Sequence, residues 1–129
     1  MKQCGECGSR RLTAFHGETL TAGDTPVHDL CGLRCAECGE VYLDAASQAR
    51  FAAASDAWVL AQRREQQAML LRVRKKLKLT QREAAQLTGG GHNAFSRYER
   101  GQAQPLPAVV NLFRLLDSHP EMLSELRRA

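Results

Sequence analysis

Two cysteine pairs set the chemistry open to the first part of the chain. Cys4 and Cys7 stand in CGEC and Cys35 and Cys38 in CAEC, each pair followed at once by a glycine, Gly8 and Gly39. A C-x-x-C turn aims both sulfurs at one point, and the glycine behind it lets backbone amides face the thiolates. Four such thiolates make the tetrahedral shell that zinc prefers. A shell filled by protein leaves no position for water or substrate, so one structural Zn2+ is expected and no enzymatic role. Its binding energy becomes folding energy for a segment too small to bury much core unaided. Cys31 is the odd thiol. It can replace Cys35 on geometric grounds, but only Cys35 with Cys38 repeats the first pair, so Cys31 is expected to be buried or spare. His16 and His28 are nearby histidines with no stronger claim.

A second chemistry is carried by GHNAFSRYERG, residues 91 to 101. Coiled as a helix at about 100° per residue, Phe95, Tyr98 and Ala94 fall on one side and Asn93, Ser96, Arg97 and Arg100 on the other. Asn93 and Arg97 are one turn apart and stack along one ridge. Asparagine matches the major-groove edge of adenine and arginine that of guanine, each through paired hydrogen bonds, so these two are the expected base readers, with Ser96 and Arg100 in support.

The elements that must hold these groups follow from local signals. Residues 12–15, 19–21 and 27–30 are β-prone and are separated by HGE and AGDTP, both turn-like, which predicts a small meander between the cysteine pairs. Asp44 then caps a helix over residues 45 to 62, where Phe51, Ala54, Trp58 and Ala61 recur at helical spacing and Trp58 reads as core. A break or hinge is expected at residues 62–67, because an uninterrupted helix through this region is long against ordinary helix lengths.

Further on, Met69 or Leu70, Val73 and Leu77 form an apolar stripe among Arg72, Arg74, Lys75, Lys76 and Lys78. Thr80 with Glu83 spells a capping box, Ala84, Ala85 and Leu87 a closely packed face, and Gly89 to Gly91 a turn. Gly101 closes the helix that carries Asn93 and Arg97. A short helix, a glycine turn and an exposed helix make the helix-turn-helix order, in which the second of the pair enters the DNA major groove. Gln81, with the free amides after Thr80, is expected at a phosphate, as are Lys75 and Lys76. Pro107 opens another helix, and a short one follows His119 and Pro120. Val109 or Val110, Leu112, Phe113, Leu115 and Leu116 exceed what so small a core can absorb, which points to a homodimer through this half. Two-fold symmetry would set two reading helices about 34–36 Å apart, on a palindromic site.

Charge divides the chain in the same place. Residues 1–60 carry net minus 3 and residues 61–129 net plus 7, giving the overall plus 4 on 129 residues. The basic half suits a polyanion. No apolar run of signal or membrane-spanning length occurs, so a cytoplasmic protein without a membrane partner is expected, and five cysteines there favour metal over disulfides. The fold class expected is therefore α+β. A small zinc-bound, β-rich domain with a helix (1–64) precedes an all-α, five-helix helix-turn-helix domain (65–129).

LTQREAAQLTGGGHNAFSRYERG resembles the phage-repressor (Xre) class of helix-turn-helix. Together with CGEC, CAEC, VRKKLKLTQREA, GGGHNAFSRYERGQAQP and LLDSHPEMLSELR, nearly the whole chain resembles the MqsA-type antitoxin family. That resemblance implies a type II antitoxin. Its zinc half would neutralise a cognate mRNA-cleaving ribonuclease toxin, and its helix-turn-helix half would dimerise on double-stranded operator DNA and repress its own operon. It also implies Cys4, Cys7, Cys35 and Cys38 as zinc ligands and Asn93 and Arg97 as the base-reading pair. Residues 8 to 30 match the family only loosely. The other function the residues allow is a stand-alone repressor whose zinc domain senses metal or redox state.

Overall fold

The computed structural model describes residues 1 to 128. The chain divides into two units, Met1–Leu60 and a second beginning at Ala61. Each has its own apolar cluster.

The first unit is an antiparallel sheet in the order β1-β2-β3, with β1 Leu12–Ala22, β2 Thr25–Cys35 and β3 Val41–Leu43. Ala22 pairs with Thr25 across a two-residue turn at Gly23, whose φ of 65° belongs to the primed turns that match strand twist. The three short β-prone pieces expected from sequence are instead two long strands. His16, Gly17 and Glu18, read as a turn, lie inside β1, where the pairing register shifts between Phe15 and Glu18 and again before Leu20. The left-handed residues Gly17 (φ 68°) and Asp29 (φ 59°) mark the irregularity on the two strands. Such an extra residue changes which side chains face inward: Val27 and Leu30, three apart, both reach the cluster that Ala22 anchors.

Helix α1 spans Ala45–Lys76, 32 residues. Asp44 caps it, accepting from the Ser47 amide at 2.8 Å, and Phe51 and Ala54 pack on the sheet cluster. Trp58 is half-buried and seated directly over Gly23, where an added Cβ would come within 2.2 Å of the indole. The break expected at residues 62–67 is absent. No glycine or proline interrupts the segment, and its Gln, Arg and Glu residues are all good helix formers, so nothing local ends it there.

The end comes at Lys78, in the left-handed region at φ 59°. The Lys78 amide donates to the Lys75 carbonyl (3.0 Å) and the Leu79 amide to that of Arg74 (3.1 Å), the two bonds of a Schellman cap. The same pair of bonds closes α2 (Gln81–Thr88) at Gly89 and Gly90, and α3 (Ala94–Glu99) at Gly101 and Gln102. After these come α4 (Pro107–Ser118), a 3₁₀ turn (Pro120–Met122) and α5 (Leu123–Arg127), so the described residues hold five α-helices. Leu70 and Val73 of α1, Leu77 just beyond its end, Ala84 and Ala85 of α2, Phe95 of α3, and Phe113 and Leu116 of α4 form the second core. Phe95 is its centre, fully buried, 5.1 Å from the Phe113 ring and 5.4 Å from that of Tyr98.

Candidate functional site

The two cysteine turns are built alike. In the first, the Cys4 amide donates to the Ser9 carbonyl (2.8 Å) and the Gly8 amide to that of Cys4 (3.0 Å). In the second, Cys35 donates to Glu40 (2.9 Å) and Gly39 to Cys35 (3.0 Å). Gly8 and Gly39 adopt φ of 75° and 81°, which a side chain would resist. The sheet register then brings the turns together. The sulfurs of Cys4, Cys7, Cys35 and Cys38 all lie within 4.8 Å of one another, with Cys4–Cys38 and Cys7–Cys35 at 3.6 Å.

A tetrahedral shell with Zn–S bonds of about 2.3 Å has edges of about 3.8 Å, so the four sulfurs fit a single zinc ion. Their proton affinities agree. The Tyr42 hydroxyl, aided by the Cys7 amide, holds the Cys4 thiol down to about 6. Cys38 is pushed up to about 12: the Glu40 amide favours its thiolate, but burial and the other three sulfurs outweigh it. Four adjoining thiolates need a cation among them. This is one structural Cys4 zinc centre, with two buried ligands, Cys4 and Cys35, and two exposed, Cys7 and Cys38.

Cys31, His16 and His28 stay outside the cluster. The half-buried Cys31 works through its backbone, its amide donating to the buried Ser47 hydroxyl (2.9 Å) and its carbonyl accepting from Asp44 (2.9 Å), while exposed His28 meets Thr19 across the strands at 3.0 Å. Nearby, Arg34 makes two bonds to Glu18 (2.9 and 2.7 Å) and lies 5.0 Å over the Phe15 ring.

In the second unit, α3 is shorter than the sequence suggested: residues 92 and 93 are turn, and Asn93 is the N-cap residue, its carbonyl accepting from the Arg97 amide at 3.1 Å. Asn93, Arg97 and Arg100 are exposed and Ser96 half-buried, while Phe95 behind them has no exposure. Thr80 and Glu83 complete the capping box reciprocally, at 3.0 and 3.1 Å. Two of the groups expected at phosphates have partners within the protein. Gln81 donates its side-chain amide to the Glu99 carboxylate, and Lys76 bonds the carbonyl (2.7 Å) and carboxylate (3.0 Å) of Asp117, which Arg72 also grips. Lys75 is exposed.

Sequence reasoning passed over Glu99. Its side chain, 6% exposed, bonds Arg74 at 2.6 Å and accepts from Gln81, its carbonyl accepts from Gln67 at 2.7 Å, and Arg74 also reaches the Leu79 carbonyl. One carboxylate thus fixes α3 against α1 and α2. The signal was available: Glu99 stands four residues after Phe95 and so on the buried side of the same helix. Tyr42 was also missed, because one aromatic after the second cysteine turn carries no pattern.

Of the apolar residues expected in surplus on the later helices, Val109, Val110, Phe113 and Leu116 are buried, whereas Leu115 and Met122 are exposed. Leu115 and Met122 are 63% and 52% exposed and, with Leu112, Leu116, His119 and Leu126, line a groove of about 350 Å³. No helix among the described residues is long and apolar enough to cross a membrane.

Comparison with known proteins gives two matches. The family model for the antitoxin component of bacterial toxin-antitoxin systems, MqsA, matches residues 1–127. Antitoxin MqsA of Escherichia coli (strain K12) is 42% identical over 111 residues, which cover 84% of this chain and 85% of that protein.

Proposed function

Since the chain belongs to the MqsA antitoxin family, we propose that it neutralises a cognate mRNA-cleaving ribonuclease toxin through its zinc unit and represses its own operon through its helix-turn-helix unit. It acts in the cytoplasm, by binding and not by catalysis. The domains assigned to the two tasks are residues 1–64 and 65–129.

The observation that carries the DNA half of this reading is the split around α3: Phe95 fully buried, Asn93 and Arg97 exposed on the opposite side. These two are the base readers. Arg100, Ser96 and Lys75 contact the backbone or support the readers; Thr80 and Gln81 support through the cap and through Glu99. Lys76 reaches phosphate only by leaving Asp117. The exposed groove between α4 and α5 seats the second copy of a homodimer, which places two reading helices on a palindromic operator about 34–36 Å apart.

The test is binding of the zinc-loaded protein to duplexes from upstream of its own gene and to scrambled duplexes across a salt series. Arg97→Ala and Asn93→Ala are expected to lose discrimination, each good paired contact being worth about 1–3 kcal/mol. Lys75→Ala is expected to weaken both duplexes alike and to flatten the salt dependence. Full operator preference in Arg97→Ala overturns the assignment of the reading helix. For the toxin half, co-expression with the gene beside its own should relieve growth arrest, and a variant lacking residues 1–64 should not.

A further inference from the structure

The sheet brings one more group to the sulfurs. Tyr42 is the middle residue of β3, paired with Leu33 of β2 just beyond the second cysteine turn. Its hydroxyl reaches the other turn, with Oη 2.8 Å from the Gly5 nitrogen and 3.3 Å from Cys4 Sγ.

The two turns differ in what the amide after the first cysteine meets. In the second, the amide after the first cysteine, that of Ala36, donates to the Arg11 backbone carbonyl at 2.8 Å. In the first, the equivalent amide, that of Gly5, donates to the Tyr42 hydroxyl. A carbonyl can only receive; a phenol receives on oxygen and still has a proton to give. A coordinated thiolate has none, so between Tyr42 and Cys4 the phenol is the donor, and its proton points at sulfur.

We propose that Tyr42 is a positioning residue of the zinc centre, its hydroxyl donating to the Cys4 thiolate while anchored by Gly5. The bond fixes the Cys4 side chain and draws charge from one of four crowded sulfurs. It also ties the turn at Cys4 to the strand leaving the turn at Cys38, 34 residues later. Groups that orient metal ligands in this way commonly change metal affinity by about 10–100-fold.

The experiment uses the full, zinc-loaded chain and Tyr42→Phe, which keeps the ring and removes only the hydroxyl. Competition with a chromophoric chelator is expected to show zinc bound about tenfold more weakly. Peptide mapping after N-ethylmaleimide should find Cys4 labelled earlier, relative to the exposed Cys7 and Cys38, than in the parent, and the cobalt-substituted variant should shift its thiolate-to-metal charge-transfer band. A residue that merely filled space would move neither the labelling order nor the band. Zinc affinity within about twofold of the parent, with the labelling order unchanged, overturns the proposal.

Should Tyr42→Phe fail to fold, the chain's two tyrosines offer a second route. In a Tyr98→Phe background, 3-fluorotyrosine enters at Tyr42 alone and makes a stronger donor at pH 7. Slower zinc release supports the bond; unchanged or faster release overturns it.

Discussion

Five cysteines divide into four that share a centre and one that does not, and each substitution tests that division. Cys38→Ser should lower zinc below one ion per chain and loosen the sheet, while Cys31→Ser should keep one, because the Cys31 amide and carbonyl hold Asp44 and Ser47 whatever its side chain; elemental analysis of purified protein decides. Glu99 is the other residue on which much converges. Removing one partner of a buried ion pair strands the other, so Glu99→Gln should cost about 3 kcal/mol in urea unfolding. Removing Arg74 as well should cost less than the sum of the two. The cysteine centre was legible because spacing alone states it. Glu99 was legible only in part: helical phase puts it inside, but its partners Arg74 and Gln81 come from other helices and share no pattern with it.

Helix ends offer the clearest tests at the level of elements. Three Schellman caps follow one another, with glycine at the left-handed position in two and Lys78 in the first. A left-handed residue with a Cβ is strained by about 1 kcal/mol, so Lys78→Gly should raise stability by about 0.5–1 kcal/mol, read from thermal unfolding. At the start of α2, bonds from the Thr80 amide and hydroxyl hold the Glu83 carboxyl below its usual value, with Arg127 adding to the effect. A depressed carboxyl contributes stability that is present above the unfolded value of about 4.3 and lost as pH falls through the folded one. The stability difference between the parent and Glu83→Gln should therefore shrink as pH drops below about 4, measured by denaturant titration at each pH. The capping box, the Asp44 cap and the Pro107 start were all readable, being short-range bonds between neighbours in sequence. Residues 16–18 were not. A left-handed glycine flanked by polar residues looks the same in a turn and in a bulge, and only the partner strand tells them apart. Residues 62–67 misled for a different reason: the expectation of a break came from average helix lengths, and no residue there supplied a stop.

For the whole molecule, the separation into an acidic, metal-built unit and a basic, helical one was visible in charge and cysteine placement before any coordinate. The two apolar clusters share no residue, so the units should respond separately to loss of metal. With EDTA, emission from the single tryptophan, Trp58 over Gly23, is expected to shift at a lower temperature than in the zinc-loaded chain, while the helical circular dichroism of the second core keeps its own midpoint. A single coincident transition with and without chelator counts against that independence.

Glu99 also constrains how this sequence can drift. Aspartate is a methylene too short to meet Arg74 and Gln81 at once, glutamine leaves a buried guanidinium without its counterion, and the same helix turn carries Arg97 outward. Descendants of this gene can therefore change the exposed positions 93 and 97 freely, but must alter positions 74, 81 and 99 as a set, so that a variable outer face rides on an inherited and nearly immovable chassis.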